Sequence, residues 1–433
     1  MKHVLLWVLL TAQCPAWAQD STPGEQPADV PWVEHTWQTL RDQGLTGALR
    51  LDYFRSSRDL DDRTDFLGGT AQLKLTPSFN NALDGKLEAR LTNQDVGGDG
   101  DTEATLLEGY VTAHFAHADL RIGKQIVAWG RADGVNPTDN LTPRNFTVLL
   151  PFEEDQRFGL TAVKLDYHVT PEYTVTFFIT PFFEPTKVPR PSGQGEPIER
   201  RPARTLANSE FAFKLNRTGG ALDWSVSYFH GYSTLPDARV LGFGPAGPVL
   251  ELGYNKIDVV GADFARNFGR YGVRGELAYF FTDDREGRDP AVKNPFLYYV
   301  FGGDRTFFEN LNINLQWVGR WVQSFTDPET IADPVAREVA AQNAITDGQQ
   351  DRTSYGLSSR VGKKWLNDTL EAEILVFANF TRRNAYIRPL IGYAFTDHIK
   401  GTLGAEIYTG EEETAFGRIK RNRGAFAELR YAF

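Results

Sequence analysis

From Thr46 to Phe433 the chain is built of short segments in which every second residue is apolar, and no other feature limits its fold so tightly. In Leu83 to Leu91, Leu87, Ala89 and Leu91 alternate with Lys86, Glu88 and Arg90. Leu73 and Leu75 flank Lys74, and Val163, Leu165 and Tyr167 interleave with Lys164 and Asp166. Phe211, Phe213 and Leu215 interleave with Ala212 and Lys214, and Leu429, Tyr431 and Phe433 with Arg430 and Ala432. A strand sends successive side chains to opposite faces, whereas the longer period of a helix would scatter these charges around its circumference. Each segment therefore reads as a strand with one greasy and one charged face. The composition of 40 Gly, 30 Phe, 16 Tyr and 9 Trp against one Met and one Cys also disfavours long Leu- and Met-rich helices.

Turn signals cut this stretch into roughly eighteen segments of about ten residues, the span of a tilted strand crossing a bilayer. The connections alternate in length. Short ones fall near Thr76-Pro77-Ser78, His117-Ala118-Asp119, Thr170-Pro171-Glu172, Thr218-Gly219-Gly220, Asn267-Phe268-Gly269, Glu309-Asn310, Leu366-Asn367-Asp368 and Thr396-Asp397-His398. Longer ones lie between them, near 56–65, 93–102, 129–156, 183–207, 233–253, 283–295, 326–350, 381–384 and 410–418. A closed barrel in an outer membrane shows this alternation, with short periplasmic turns and long outer loops, and an even strand count leaves both ends on the periplasmic side. A soluble β-sandwich also alternates, but it buries one face of each sheet. Charges opposite a belt of Leu, Val, Phe, Tyr and Trp require water inside and lipid outside. The expected fold is all-β: a transmembrane antiparallel up-and-down β-barrel of about eighteen strands, with sixteen as the neighbouring even count. Beyond the first twenty residues there is no run of about 18 apolar residues, so a membrane-spanning helix is excluded. A net charge of −10 argues against nucleic acid as a partner.

Residues 1–18 read as a secretory signal peptide: Lys2 and His3, the apolar run Val4 to Leu10, then Ala16-Trp17-Ala18 before Gln19. Cys14 invites a lipoprotein reading, but Gln13 stands where a small residue should precede a lipidated cysteine. Cleavage after Ala18 leaves no cysteine, which removes disulfides and thiolate metal sites together. Residues 19–45 read as a flexible leader, with Trp32, Val33, Thr36, Trp37 and Leu40 at helical spacing. That stretch is either an amphipathic segment packed on a neighbour or a plug. The barrel then occupies 46–433.

The most distinctive connection runs from Trp129 through Arg131, Asp133, Asn136-Pro137, Asp139 and Pro143-Arg144 to Glu153-Glu154-Asp155. Together with Gly123-Lys124-Gln125 it resembles a Gly-Lys-Gln, Trp-Gly, Asp, Asn-Pro-x-Asp pattern of Gram-negative outer-membrane barrels of porin-like and export-like families. The end, Leu429 to Phe433, similarly resembles the C-terminal strand signature that the barrel assembly machinery recognises. The resemblance implies a barrel and a loop folded inward, in which Arg131, Asp133, Asp139 and Arg144 would set up a constriction field. An equal reading has the Asp and Asn residues making turn hydrogen bonds and the Arg residues pairing with them to hold the loop rigid.

Alternation alone nominates Lys74, Lys86, Glu88, Arg90, Lys164, Asp166, Lys214 and Arg430 as lumen residues. The basic loop residues Lys187, Arg190, Arg200, Arg201 and Arg204 suit an anionic solute or lipopolysaccharide phosphate, or belong to an ordinary solvated loop. Asp333-Pro334 before Val335 to Ala340 marks a helix start near the mouth.

No enzyme is expected. Ser227 and His230 fall on opposite faces of one strand, and the acidic pairs Asp61-Asp62 and Asp283-Asp284 and the Asp397-His398 pair read as turn residues. No metalloprotease, P-loop, calcium-loop or haem-attachment motif occurs, so no metal and no cofactor are expected. The leading function is a porin for passive diffusion of small hydrophilic solutes. The alternatives are an outer-membrane conduit for polysaccharide or lipid export and a sheath around an electron-carrying cytochrome. The expected partners are outer-membrane lipid and lipopolysaccharide, the barrel assembly machinery, and either further copies in a homotrimer or a periplasmic export component.

Overall fold

The computed structural model describes residues 38–57, 64–96, 98, 100, 102–148, 150, 152–189, 197–245, 247–308 and 310–433. The expected signal peptide and the segment around Trp32 and Trp37 lie outside them. Residues 38–42 are helical and belong to an N-terminal unit, Met1–Asp42, while Gln43–Phe433 form a second unit.

The alternating segments of the second unit form eighteen long strands. These are β1 (Thr46–Ser56), β2 (Asp65–Leu75), β3 (Leu83–Asn93), β4 (Thr102–His114), β5 (Ala118–Gln125) and β6 (Leu160–His168). There follow β7 (Tyr173–Thr180), β8 (Glu210–Arg217), β9 (Asp223–Tyr232), β10 (Lys256–Phe268), β11 (Tyr271–Thr282) and β12 (Phe296–Phe307). The set ends with β13 (Leu311–Val322), β14 (Thr353–Trp365), β15 (Leu370–Asn379), β16 (Asn384–Ala394), β17 (Ile399–Thr409) and β18 (Gly424–Ala432). Each pairs antiparallel with the next, and β18 returns to β1, with Leu49 opposite Tyr431 and Arg50 opposite Arg430. The ring is closed, so its backbone hydrogen bonds are made between strands, as a bilayer interior requires.

The outward positions carry an apolar belt that includes Leu51, Ile122, Val163, Leu277, Phe301 and Leu403. Arg50, Asp52, Thr70, Arg90, Glu108 and Glu276 are buried on the opposite, inward face. A bulge in β4 opposite Glu88 and Ala89 inserts Leu107 and sends both it and Glu108 to the interior.

The short connections share one end of the barrel with both ends of its chain. Exposed Phe79, Phe115, Phe268, Phe308 and Phe395 form a collar there, the placement aromatic residues take at a membrane boundary. The long connections crowd the other end, where the tight turn 380–383 is the exception.

At that outer end a small sheet combines Ile198–Arg200, Asp237–Gly244 and Gly247–Gly253. Beside it lies helix α1, Pro334–Asp347, capped by the Asp333 carboxylate, which accepts from the N–H groups of Val335 and Ala336. The helix runs beyond Ala340 and stops at Gly348, where φ of 63° gives a left-handed cap. Asn343 clamps it to the sheet, accepting from Ala238 N–H at 2.8 Å and donating to the Ala238 carbonyl at 2.8 Å.

Leu315 sits near the middle of β13 on the outward face, half exposed. Leu315→Arg should therefore cost about 2–4 kcal/mol of stability in the bilayer, measured by reversible urea unfolding of the protein in lipid vesicles.

Candidate functional site

The segment between β5 and β6, residues 126–159, folds into the barrel and is fastened to the wall at several places. On one side its backbone wraps the Glu276 carboxylate of β11. The N–H groups of Arg131 and Ala132 donate to Oε1 at 2.6 and 2.7 Å, and Asn136 Nδ2 does so at 3.1 Å. Thr138 donates to Oε2 through its backbone N–H at 3.3 Å and its hydroxyl at 2.9 Å. A buried carboxylate needs such donors, because desolvation without them costs several kcal/mol. Gly130 makes this approach possible: its φ is +99°, and a Cβ there would stand 2.5 Å from Glu276 Oε1.

The next fastening is a cluster on β8 and β10. Arg131 Nε lies 2.6 Å from Asp263 Oδ1, and its Nη2 donates to Asn216 at 2.6 Å. Lys214 is 3.7 Å from the same Asp263 and sits over the Trp129 ring. On β13 and β14, the Gln316 amide pairs with the backbone N–H and carbonyl of Asp133 at 2.9 and 2.5 Å, and Arg360 Nε approaches the Asp133 carboxylate at 3.4 Å.

Across the ring, the short 3₁₀ turn Glu153–Gln156 offers Asp155 to Arg50 of β1 at 2.6 Å, while Arg90 of β3 donates to the Asp155 carbonyl at 2.8 Å. Since β1 and β10 lie on opposite sides of an eighteen-strand ring, the segment reaches across the bore.

Between these fastenings Asp139 accepts from Trp129 N–H at 3.1 Å and from Arg157 Nη2 at 2.6 Å. Arg144 has no side-chain partner among the described residues. Burial and the neighbouring Arg157 draw its guanidinium below the usual value, with the carboxylates of Asp139, Glu153 and Glu154 acting the other way. Of the four residues nominated for a constriction, Arg131, Asp133 and Asp139 are thus occupied in holding the segment, and Arg144 makes no direct side-chain ion pair among the described residues.

The remaining nominated side chains are placed as follows. Lys86 meets Glu88 at 2.8 Å and Glu108 more closely still. Lys164 pairs with Asp166 at 2.6 Å. Lys74 lies on the inward face of β2, exposed toward the short-turn end, and Arg430 on that of β18. The basic residues of the 181–209 loop each find a carboxylate: Lys187 with Glu103 at 3.2 Å, Arg200 with Glu251 at 3.3 Å, Arg201 with Glu199 at 3.0 Å and Arg204 with Glu184 at 2.8 Å. Arg190 lies outside the described residues.

The interior is not uniformly polar. Val127, Trp129 and Leu141 of the segment pack with inward-facing Phe178, Val259 and Phe280 into a buried apolar cluster on the β6–β13 side. Open space remains both beside this cluster, in a cavity of about 260 Å³, and elsewhere. A cavity of about 410 Å³ separates Phe152, Glu153 and Glu154 of the segment from Arg360, Glu373 and Arg388 of the wall.

Alternation could have found Glu276, Asp263 and Arg360, since all three are charged residues at inward positions like Lys86. Their partners in the segment had no local signal.

A closed antiparallel ring of eighteen strands with an apolar belt and an inward-folded segment is a bacterial outer-membrane β-barrel. Within that class the chain belongs to the family described as "Protein of unknown function (DUF1302)", whose model matches residues 55–414. Solved structures share the fold at low identity. OccAB1 of Acinetobacter baumannii is 10% identical, covering 90% of this chain and 96% of that one, with a TM-score of 0.55. OccAB3 of the same organism is 10% identical, covering 90% and 98%, with a TM-score of 0.54. OpdK of Pseudomonas aeruginosa, solved with vanillate, is 8% identical, covering 90% and 98%, with a TM-score of 0.52. No curated protein matches the chain in sequence.

Removing the Glu276 carboxylate should release the segment. In Glu276→Ala, loss of charge-assisted hydrogen bonds worth about 1.5–3 kcal/mol each should speed amide exchange over residues 130–138 by roughly a hundredfold or more, read by hydrogen–deuterium exchange mass spectrometry.

Proposed function

We propose that the protein is an outer-membrane channel for passive diffusion of small hydrophilic solutes, with the segment 126–159 setting its free cross-section. The observation that carries this reading is the fastening of the segment at Glu276 on one side and at Arg50 and Arg90 on the other. A plug meant to leave would not be tied to opposite walls by buried charges. A permanent partial obstruction narrows the path and leaves fixed charges beside it, which is how a pore discriminates among permeants.

Most lumen charges are matched in pairs, including Lys86 with Glu88 and Glu108, Lys164 with Asp166, and Lys400 with Glu371 at 2.5 Å. In this reading selectivity comes from charges that make no direct pair among the described residues, such as Arg144. The solved structures named above share this barrel fold, and OpdK among them was solved with a small solute, vanillate, which supports the same class of work here. The apolar packing of the segment against the wall favours a second reading, in which the bore is shut until a periplasmic export partner opens it.

Conductance in planar bilayers separates the two. An open channel should give stable single-channel steps, and Arg144→Ala should move the reversal potential toward cation selectivity. Arg131→Ala, which strips Asp263 of its closest cation, should raise conductance and current noise. A silent wild-type barrel would favour the export reading.

A further inference from the structure

Two cavities lie one above the other along the β13–β16 wall. The inner one, about 410 Å³, starts among the short turns at Asn310 and Asp368 and ends at Arg360, Glu373 and Arg388. The outer one, about 290 Å³, starts at Val135 and Phe377 and reaches Gly348 and Phe416 of the outer connections. Only a thin band of wall and segment parts them.

Strand register defines that band. Antiparallel pairing sets Asn314, Arg360, Leu375 and Arg388 side by side on β13 to β16, with Gln316, Ser358, Phe377 and Tyr386 in the next inward row toward the outer end. The two rows are two residues apart, about 7 Å along the strands. Asn314, Gln316, Ser358 and Leu375 face the bore, yet each is 5% exposed or less, and Leu375 only 1%. Their cover is the strip Asp133–Val135 of the inward-folded segment. Gln316 pairs with the Asp133 backbone, the Asp133 carboxylate approaches Arg360, and a Cβ on Gly134 would stand 3.3 Å from the Phe377 ring.

This strip is the weakest of the segment's fastenings. Glu276 and Arg50 hold their partners by buried, charge-assisted hydrogen bonds. The strip is held by a neutral amide pair and by Arg360, which is shared among Asp133 at 3.4 Å, Glu153 at 3.9 Å and Glu373 at 3.3 Å and keeps 28% of its side chain exposed. Partly exposed ion pairs contribute little. Residues 133–135 can therefore lift locally while the fastenings at Glu276 and Asp155 stay closed. The other sides of the bore are better filled: Arg50 and Arg90 are buried against Asp155, and the cavity of about 260 Å³ abuts the apolar cluster, sharing Ile257, Phe280 and Phe296 with it.

We infer that solutes cross the barrel along the β13–β16 wall, and that Asp133–Val135 is the gate on this path, seated over Leu375 and Phe377 when shut. Lifting the strip joins the two cavities. This deepens the channel reading above and rests on it for the traffic, though not for the gate.

The test is planar-bilayer recording of wild type beside Leu375→Ala, Phe377→Ala and, in the apolar cluster, Val259→Ala. Loss of a buried contact under the gate should make openings about tenfold or more frequent in the first two, and Val259→Ala should behave as wild type. Ser358→Cys, with Cys14→Ser removing the one native cysteine, should lose current to a cationic methanethiosulfonate reagent, which adds bulk and charge under the strip. Heat-modifiable electrophoretic mobility identifies any variant that has failed to fold, and the small change at Ser358 then decides alone. A conducting wild type whose current is indifferent to all three substitutions at the gate overturns the inference and leaves the channel. A change confined to Val259→Ala overturns it too, by moving the path to the apolar cluster. A silent wild type with current in Leu375→Ala or Phe377→Ala keeps the gate and removes free diffusion, and silence throughout overturns both.

Discussion

Everything in this molecule depends on the hydrogen-bonded seam between β18 and β1. A sheet in lipid cannot leave a row of unpaired amides at its edge, and pairing Ala48 through Ser56 with Ala432 through Gly424 removes that edge. Closure fixes the rest by geometry. Once the ring is closed, one face of every strand must meet lipid and the other must enclose a bore. A ring of eighteen strands is too wide for side chains to fill alone, so its interior is filled in part by a segment of backbone.

That segment solves a difficult problem of burial. Irregular backbone inside a barrel carries N–H and carbonyl groups that strands would otherwise satisfy. Here the wall supplies the missing partners: Glu276 takes backbone donors from Arg131, Ala132 and Thr138, Gln316 pairs with Asp133, and Arg90 donates to Asp155. The charged inward positions therefore act as structural partners as well as a lining. The Trp-Gly, Asp, Asn-Pro-x-Asp pattern gains a physical meaning in the same way, because Gly130 admits the Glu276 carboxylate, Asn136 donates to it and Asp139 closes the turn onto Trp129 N–H.

Much of the fold is legible in the sequence because a strand's period and a turn's chemistry are local. Lys86, Glu88 and Arg90 announce an inward face, Thr218-Gly219-Gly220 announces a turn, and Asp333-Pro334 announces a helix. The site is less legible because its contacts are distant: Arg131 meets the carboxylate of Glu276 across 145 residues of chain, and nothing near either residue names the other. The apolar side of the interior left a fainter trace. Phe177-Phe178, Val259-Val260 and Phe280-Phe281 place large apolar residues on both faces of their strands, the mark of a wall packed on both sides. Counting alternation alone passes over it.

The crossing segment has a mechanical consequence. A hollow ring of β-strands yields to lateral pressure by becoming oval, whereas a ring braced from β1 and β3 to β10 and β11 has a strut against that deformation. The strut ends on ion pairs and hydrogen bonds rather than on covalent links, so whatever loosens them slackens the wall as it widens the bore. Aperture and stiffness are then one property of this barrel, set by the same handful of buried charges.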